Sequence, residues 1–510
     1  MSLSVKFLFF FLVRKKKKME ASLKTLVLIP TIGLVLVAIW PTQTEKQKEN
    51  IKNIGLFASI LSFGEAIRMW LAFDQQLPGF QYITTFNWLG IGQYNLNILF
   101  GVDGISLSFI LLTALLIPIC ILISWESVKK LEKQYIISLL LIEIMLYGVF
   151  SVLDIIGFYI LFEAILIPMF IIIGVWGSRE QKITAAYYFF FYTLVGSVLM
   201  LISLLYLYYI AGTTDYLTLL SLDIDLETQK ILFLAFFASL AVKIPKWPFH
   251  IWLPQAHVEA PVAGSVLLAG ILIKLGSYGF IRFCLPILPE GSKFFAPLVF
   301  TLAVLAIIYA SLTTLRQTDL KRIIAYSSVG HMGVVMLGIF SFSVVGLEGS
   351  IFLQIAHGLV ASALFISVTI LYDRFHTRLV KYYRGMTITM PLFSFLFLFF
   401  TLANIGTPLT CNFVGEFLSL LAAFEVNTTI GFLGSLGMVL SAAYALFLYN
   451  RVSFGSMSKY LAADPANRDL NRRELYCLLP LASLAFFLGV YPNIVFSLIH
   501  TSTLSIVTLL

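Results

Sequence analysis

The chain has 510 residues, of which 59% are hydrophobic and only 12% charged, against about 25% charged in soluble domains. That excludes a soluble globular protein, and apolar stretches of about 20 residues, each long enough to cross a bilayer, recur along nearly its whole length. The formal net charge of +8 needs no nucleic-acid partner, because the positions of the basic loops account for it.

The apolar runs lack strict alternation, so they read as helices and not as barrel strands. The expected fold is therefore an all-α polytopic membrane protein of about fourteen transmembrane helices. These begin near Leu23, Ile51, Val102, Gln134, Ile155, Lys182, Gln229, Ala260, Ala296, Ile323, Ile351, Thr387, Ile430 and Leu475. The expected organisation is a basic N-terminal extension over 1–22 and helices 1–3 over 23–133. A five-helix repeat over 134–285 (helices 4–8) and a second, inverted one over 286–452 (helices 9–13) follow. A basic loop and a final helix occupy 453–510.

Loops after odd-numbered helices hold most of the cations, among them Lys129, Lys130, Arg316, Lys321, Arg378, Arg384, Lys459, Arg468 and Arg473. Loops after even-numbered helices offer only Lys230 and Lys293. The positive-inside rule places the odd loops on the cytoplasmic or matrix side and both termini on the opposite face. The segment with Arg14 and Lys15 to Lys18 runs against that rule, and the many loops outweigh it.

A charged side chain at the bilayer centre costs roughly 2.5–3.5 kcal/mol, so each one calls for a reason. The candidates are Glu163 in "FYILFEAILIPMF", Lys243 in "LAVKIPKWPFHIWLP", Lys274 in "LLAGILIKLGSYGF", His331 in "YSSVGHMGVV", His357 in "LQIAHGLVASALF" and Glu416 in "CNFVGEFLSLL". Glu143 in "LLLIEIMLYG" is a seventh. Carboxylate, amine and imidazole together are the components of a proton relay. Other polar residues have structural readings. Glu65 and Arg68, three apart, neutralise each other, and Asp103 caps a helix. His250 and His257 lie at the interface, and Lys246 reaches for the surface.

The seventh helix is broken at Pro245 and Pro248, and the twelfth at Gly406 and Pro408, with Asn412 close by. A break frees backbone groups, which a membrane tolerates only against protein or a hydrated cavity. Each broken helix is the fourth of its five-helix repeat, a pattern that marks a membrane ion site. Lys243 ends one half-helix, where carbonyls favour a cation, and Glu416 lies early in another, where free N–H groups favour an anion.

Cys120, Cys284, Cys411 and Cys477 stand singly, which argues against a disulfide framework, zinc or an iron–sulfur cluster. No glycine-rich nucleotide loop is present.

The stretches "FFASLAVKIPKWPFHIWLPQAHVEAPVAGSVLLAGILIKLGSYGF", "DLKRIIAYSSVGHMG" and "NFVGEFL" resemble the antiporter-like membrane subunits of respiratory complex I, the NADH–ubiquinone oxidoreductase. The loop "LYDRFHTRLVKYY" is similar to that of its chain 4 family, and the resemblance covers roughly residues 90 to 500. It implies that Glu163 pairs with Lys243, and that Lys274, His357 and Glu416 continue the path, with His331 a lesser part of the axis. It further implies one subunit of a proton-translocating NADH:ubiquinone reductase in the mitochondrial inner membrane, beside other antiporter-like chains and lipids. No cofactor is expected in this chain; NAD, flavin mononucleotide, iron–sulfur clusters and ubiquinone belong to other subunits. The alternative is the large subunit of a multi-subunit cation/proton antiporter, which shares the fold and the lysine–glutamate set. Three positions depart from the family pattern: Lys246 stands for an apolar residue, Gln255 for an acidic one, and Leu409 for the glycine common after Pro408.

Overall fold

A helix end leaves amide groups that need partners where water is scarce, and this chain supplies them with short polar side chains. Thr44, Asp103, Asp154, Asp319, Ser343 and Asn427 each accept a hydrogen bond from an amide two or three residues on. The helices so started fill most of the computed structural model, which describes residues 22–91, 94–458 and 469–510. The basic extension up to residue 21, Lys459 and Arg468 lie outside the described residues.

In chain order the helices are α1 (Leu23–Ile39), α2 (Glu45–Ala72), α3 (Gly104–Ile123), α4 (Glu132–Ser151), α5 (Ile155–Trp176) and α6 (Lys182–Ala211). Then come α7 (Leu226–Lys243), α8 (Trp252–Glu259), α9 (Val262–Ile287), α10 (Pro289–Arg316), α11 (Leu320–Ile339) and α12 (Val344–Phe375). The last are α13 (Pro391–Ile405), α14 (Cys411–Val426), α15 (Thr428–Ser453), α16 (Arg472–Val490) and α17 (Asn493–Val507). Among the described residues eleven helices are long and apolar enough to cross a membrane, and α1, α13 and α17 are shorter apolar helices. The expected seventh helix is α7 and α8 together, the expected twelfth is α13 and α14, and α17 follows the last helix expected.

One element departs from the all-α reading. Gln81–Ile91 pairs antiparallel with Tyr94–Val102 to form a hairpin between α2 and α3. The stretch is rich in β-branched and aromatic residues, and the amide of Leu153 donates to the Leu99 carbonyl at 2.8 Å, tying it to the turn before α5.

Two helices, α9 and α12, are buried along their whole apolar length, whereas α6, α15 and α16 are only about one-third buried within this chain. α12 packs against α9, α11, α14, α16 and α17, so it is the axis of the bundle. Glycine sets the closest approach: a Cβ on Gly358 of α12 would sit 3.1 Å from the Gly270 carbonyl oxygen of α9. Lys274 and His357 are therefore on the two most central helices.

Two expected neutral arrangements are present. Arg68 lies 2.5 Å from Glu65, and Asp103 accepts from the Ser106 amide at 2.9 Å. Asp103 also forms a buried ion pair with Arg282 of α9.

Candidate functional site

α7 stops at Lys243 because Pro245 has no amide to donate. The carbonyls thus freed find other donors: Ala241 accepts from the Lys246 amide, and Val242 from the indole of Trp252 at 2.9 Å. The Lys243 ammonium is buried, donates to the Phe162 carbonyl at 3.1 Å and stands 3.8 Å from the centre of the Phe162 ring.

Glu163, the next residue along α5, does not form the expected contact pair. No ion pair within 4.0 Å joins it to Lys243 among the described residues, and both its oxygens are shielded from solvent without a hydrogen-bond partner. The two charges still lie within electrostatic range of each other, and Ser197 of α6 lies near the carboxylate. The Phe162 carbonyl occupies the position beside the amine that the sequence reading gave to the carboxylate.

The second break lies between α13 and α14. Gly406 takes a left-handed backbone (φ +78°), and Thr407 donates back to the Leu402 carbonyl at 3.2 Å, closing the end of α13 as a Schellman turn. Leu409 holds φ +71°, which explains why glycine suits that position. Glu416 lies one and a half turns into α14 and is buried.

Four of the expected residues form one continuous file. Lys274 Nζ lies 3.4 Å from His357 Nδ1, and His357 Nε2 lies 3.1 Å from the Ser328 hydroxyl. The His357 and His331 rings are 5.4 Å apart, and His331 Nδ1 is 2.9 Å from Glu416 Oε1. The expected order ran from His357 directly to Glu416; in the structure His331 stands between them. A cavity of about 20 Å³ beside His331 and Glu416, lined also by Ser311, Ser441 and Tyr444, has room for about one water molecule.

Local helix geometry sets the start of this file. Residues Leu268–Leu272 of α9 are π-helical, immediately before Lys274, and the Lys274 ammonium donates to the Ala269 carbonyl. Such π-bulges are frequent at functional sites because they free a carbonyl from the ladder.

The remaining expectations fare differently. Glu143 is fully buried but lies between α2 and α4, where Ser62 and Tyr147 donate to it, so it is not part of the file. Lys246 does not reach the surface: it is 1% exposed and its amine has no partner. His257 is not interfacial either; it is fully buried and stacked on Phe365 at 4.5 Å. His250 is half-buried. Hydropathy gives a residue's depth along a helix and not which face it turns to, and these three sit where α8 tucks under α11. Ser328, the hydrogen-bond partner of His357 Nε2, lies in the "YSS" motif but has no separate signal in the sequence. Among the described residues no group of three or more His, Cys, Asp or Glu could hold a metal ion.

Gly406→Ala tests how the second break shapes the site. A Cβ there would sit 2.5 Å from Glu416 Oε2, and a left-handed non-glycine residue costs about 1–2 kcal/mol. The variant is expected to disturb the His331–Glu416 contact and to unfold at a lower temperature, read by thermal denaturation in detergent.

The family described as NADH:quinone oxidoreductase/Mrp antiporter, transmembrane, matches residues 152–441. NADH-ubiquinone oxidoreductase chain 4 of Metridium senile is 58% identical over 448 residues, covering 87% of this chain and 90% of that protein. NADH-quinone oxidoreductase subunit M of Rhodobacter capsulatus is 45% identical, covering 90% of each. A chain of respiratory complex I from Thermus thermophilus superposes with a TM-score of 0.84 at 30% identity, over 96% of this chain and 99% of that one. A chain of an archaeal membrane-bound sulfane sulfur reductase shares the fold at 21% identity, with a TM-score of 0.83 over 96% and 100%. With a matching domain over most of its transmembrane core and relatives this similar along nearly their whole length, the chain belongs to the NADH–ubiquinone oxidoreductase chain 4 family of antiporter-like subunits.

Proposed function

We propose that this chain is a proton-translocating membrane-arm subunit of NADH:ubiquinone oxidoreductase, working beside other antiporter-like subunits in the mitochondrial inner membrane. The reading rests on its relatives and on one observation: Lys274, His357, His331 and Glu416 lie in one buried file that ends beside the Gly406 break. An isolated structural ion pair needs no such length, and a scaffold needs no titratable groups at this depth. The cation/proton antiporter alternative has less support, because the full-length relatives are respiratory-chain subunits.

In this reading the halves between residues 134–285 and 286–452 are inverted repeats, and the basic loops face the matrix with both termini in the intermembrane space. Lys243 holds a proton between the Phe162 carbonyl and ring, with Glu163 as its counter-charge. A conformational change that moves Glu163 toward or away from it changes how firmly that proton is held. The proton on Lys274 passes to His357, then through Ser328 or the adjoining ring to His331, and Glu416 releases it on the far side. Moving one charge against the potential needs about 2.3 kcal/mol per 100 mV, which electron transfer from NADH to ubiquinone in the other subunits supplies.

The test is NADH-driven proton uptake by membrane vesicles carrying Lys243→Ala or Lys274→Ala. Each variant is expected to lose this subunit's share of protons per NADH oxidised while the complex still assembles. An unchanged yield in both would refute the assignment.

A further inference from the structure

The file described above starts at Lys274, deep in the bundle, and nothing in it touches the basic face of the protein. Lys243, its expected source, has its amine engaged with the carbonyl and ring of Phe162 and not with Lys274. A different set of polar groups lies between Lys274 and that face.

At the corner between α8 and α9 a cavity of about 430 Å³ opens among the basic loops. Its walls include Lys321, Thr369, Asp373, Arg378 and the Ala260–Val262 corner, with Lys129, Lys130 and Lys182 at the rim. Lys321 is the cavity's inward cation, 2% exposed, and its ammonium donates to the Ala260 carbonyl at 3.0 Å and the Ser265 hydroxyl at 3.3 Å. Ser265 in turn donates to the His257 carbonyl at 3.1 Å.

His257 is the unexplained group. It is fully buried, it lies within electrostatic range of both Lys321 and Lys274, and neither ring nitrogen has a hydrogen-bond partner. A core histidine kept for packing alone would satisfy at least one nitrogen, since buried polar groups almost always find partners. The Phe365 ring on which it stacks belongs to a single stripe of α12, with Gly358, Ser362 and Thr369 at helical spacing. Thr369 lines the cavity, and Ser362 is buried with an unpartnered hydroxyl where α12 meets Gly270. Gly270 is one turn from Lys274. The twelve residues from Thr369 back to His357 span about 18 Å at 1.5 Å per residue, and His257 and Ser362 lie along that interval.

We propose that Lys321, His257 and Ser362 form a proton-uptake branch from the cavity at the α8–α9 corner to Lys274 and His357, separate from Lys243. The branch rests on the reading of this chain as a proton translocator. The Lys321 ammonium passes its proton through intervening solvent to a ring nitrogen of His257 and takes up another from water in the cavity. The imidazolium gives it to Lys274 past the Ser362 hydroxyl, so each group ends the cycle in the form in which it began. Asp373 at the cavity wall and Glu259, buried beside Lys321 with one oxygen unpartnered, offset the cations that would otherwise repel an incoming proton.

The experiment compares protons translocated per NADH oxidised in vesicles holding the assembled complex. His257→Phe keeps an aromatic ring against Phe365 and removes the unpartnered nitrogens. Lys321→Arg keeps a cation and its donors but cannot give up a proton, so a merely structural lysine tolerates it. Both variants are expected to lose as much proton yield as Glu416→Gln, with assembly unchanged. A full yield in His257→Phe overturns the branch, and if that variant fails to assemble, a full yield in Lys321→Arg overturns it instead. A full yield in Glu416→Gln defeats the wider reading and not the branch alone.

Discussion

His331→Phe is expected to remove this subunit's entire contribution to proton translocation, to the same level as Glu416→Gln. The sequence alone gives His331 a minor place, yet in the structure its Nδ1 is 2.9 Å from Glu416 and its ring is 5.4 Å from that of His357. Phenylalanine keeps the ring and deletes both nitrogens, so Glu416 loses its hydrogen-bond partner and His357 loses its neighbour in the file. Acid–base groups of this kind are worth about 10²–10⁴-fold in proton-transfer rate, more than enough to make the step too slow for turnover. His331→Gln separates the two roles: it offers Glu416 a hydrogen bond but carries no proton at neutral pH. Stability close to the unsubstituted protein with a lost proton yield is the expected result. Normal proton yield in both variants, measured per NADH oxidised, would show that protons bypass His331 and reach Glu416 by another path.

The parts of this site that could be read in the sequence are those whose burial is expensive or whose backbone is interrupted. Lys243, Lys274 and Glu416 stand out because a charge in an apolar run is costly wherever its side chain points. The two breaks stand out because proline leaves no helical alternative. Leu409 was visible only as a departure from the family's glycine, and its φ of +71° gives the physical content of that departure. What the chain does not spell out is which groups meet. Glu163 and Lys243 are on different helices, and their separation is set by how α5 and α7 pack, which places the Phe162 carbonyl beside the amine. The link through His331 depends on α11 packing against both α12 and α14, a tertiary fact with no local signature. Likewise the burial of His257 and Lys246 follows from where α8 folds back, because tryptophan and proline around them look equally suited to an interface. The hairpin before α3 escaped because composition this apolar biases every reading toward helix.

Arg282→Met is expected to destabilise the protein by about 3–5 kcal/mol, the range found when one partner of a buried ion pair is removed. Arg282 sits in the second π-helical stretch of α9, Phe280–Cys284, 3% exposed, and binds Asp103 at the start of α3. The rings of Phe80 and Tyr278 flank the guanidinium, and the Tyr278 hydroxyl, 3.0 Å from that of Ser106, donates to the Phe150 carbonyl at the same distance. Without the arginine, Asp103 is left without its counter-charge in an apolar core, and the contact between α3 and the central α9 loses its polar anchor. Asp103→Asn in the same chain is expected to recover much of the loss. Asparagine still caps α3 through the Ser106 amide, and a neutral amide beside methionine leaves no unpaired charge. Thermal unfolding of the detergent-solubilised complex, followed by loss of this subunit from the native assembly, measures both variants. A double variant no more stable than Arg282→Met would mean that the loss comes from the guanidinium's contacts with the rings of Phe80 and Tyr278 and not from an unpaired Asp103.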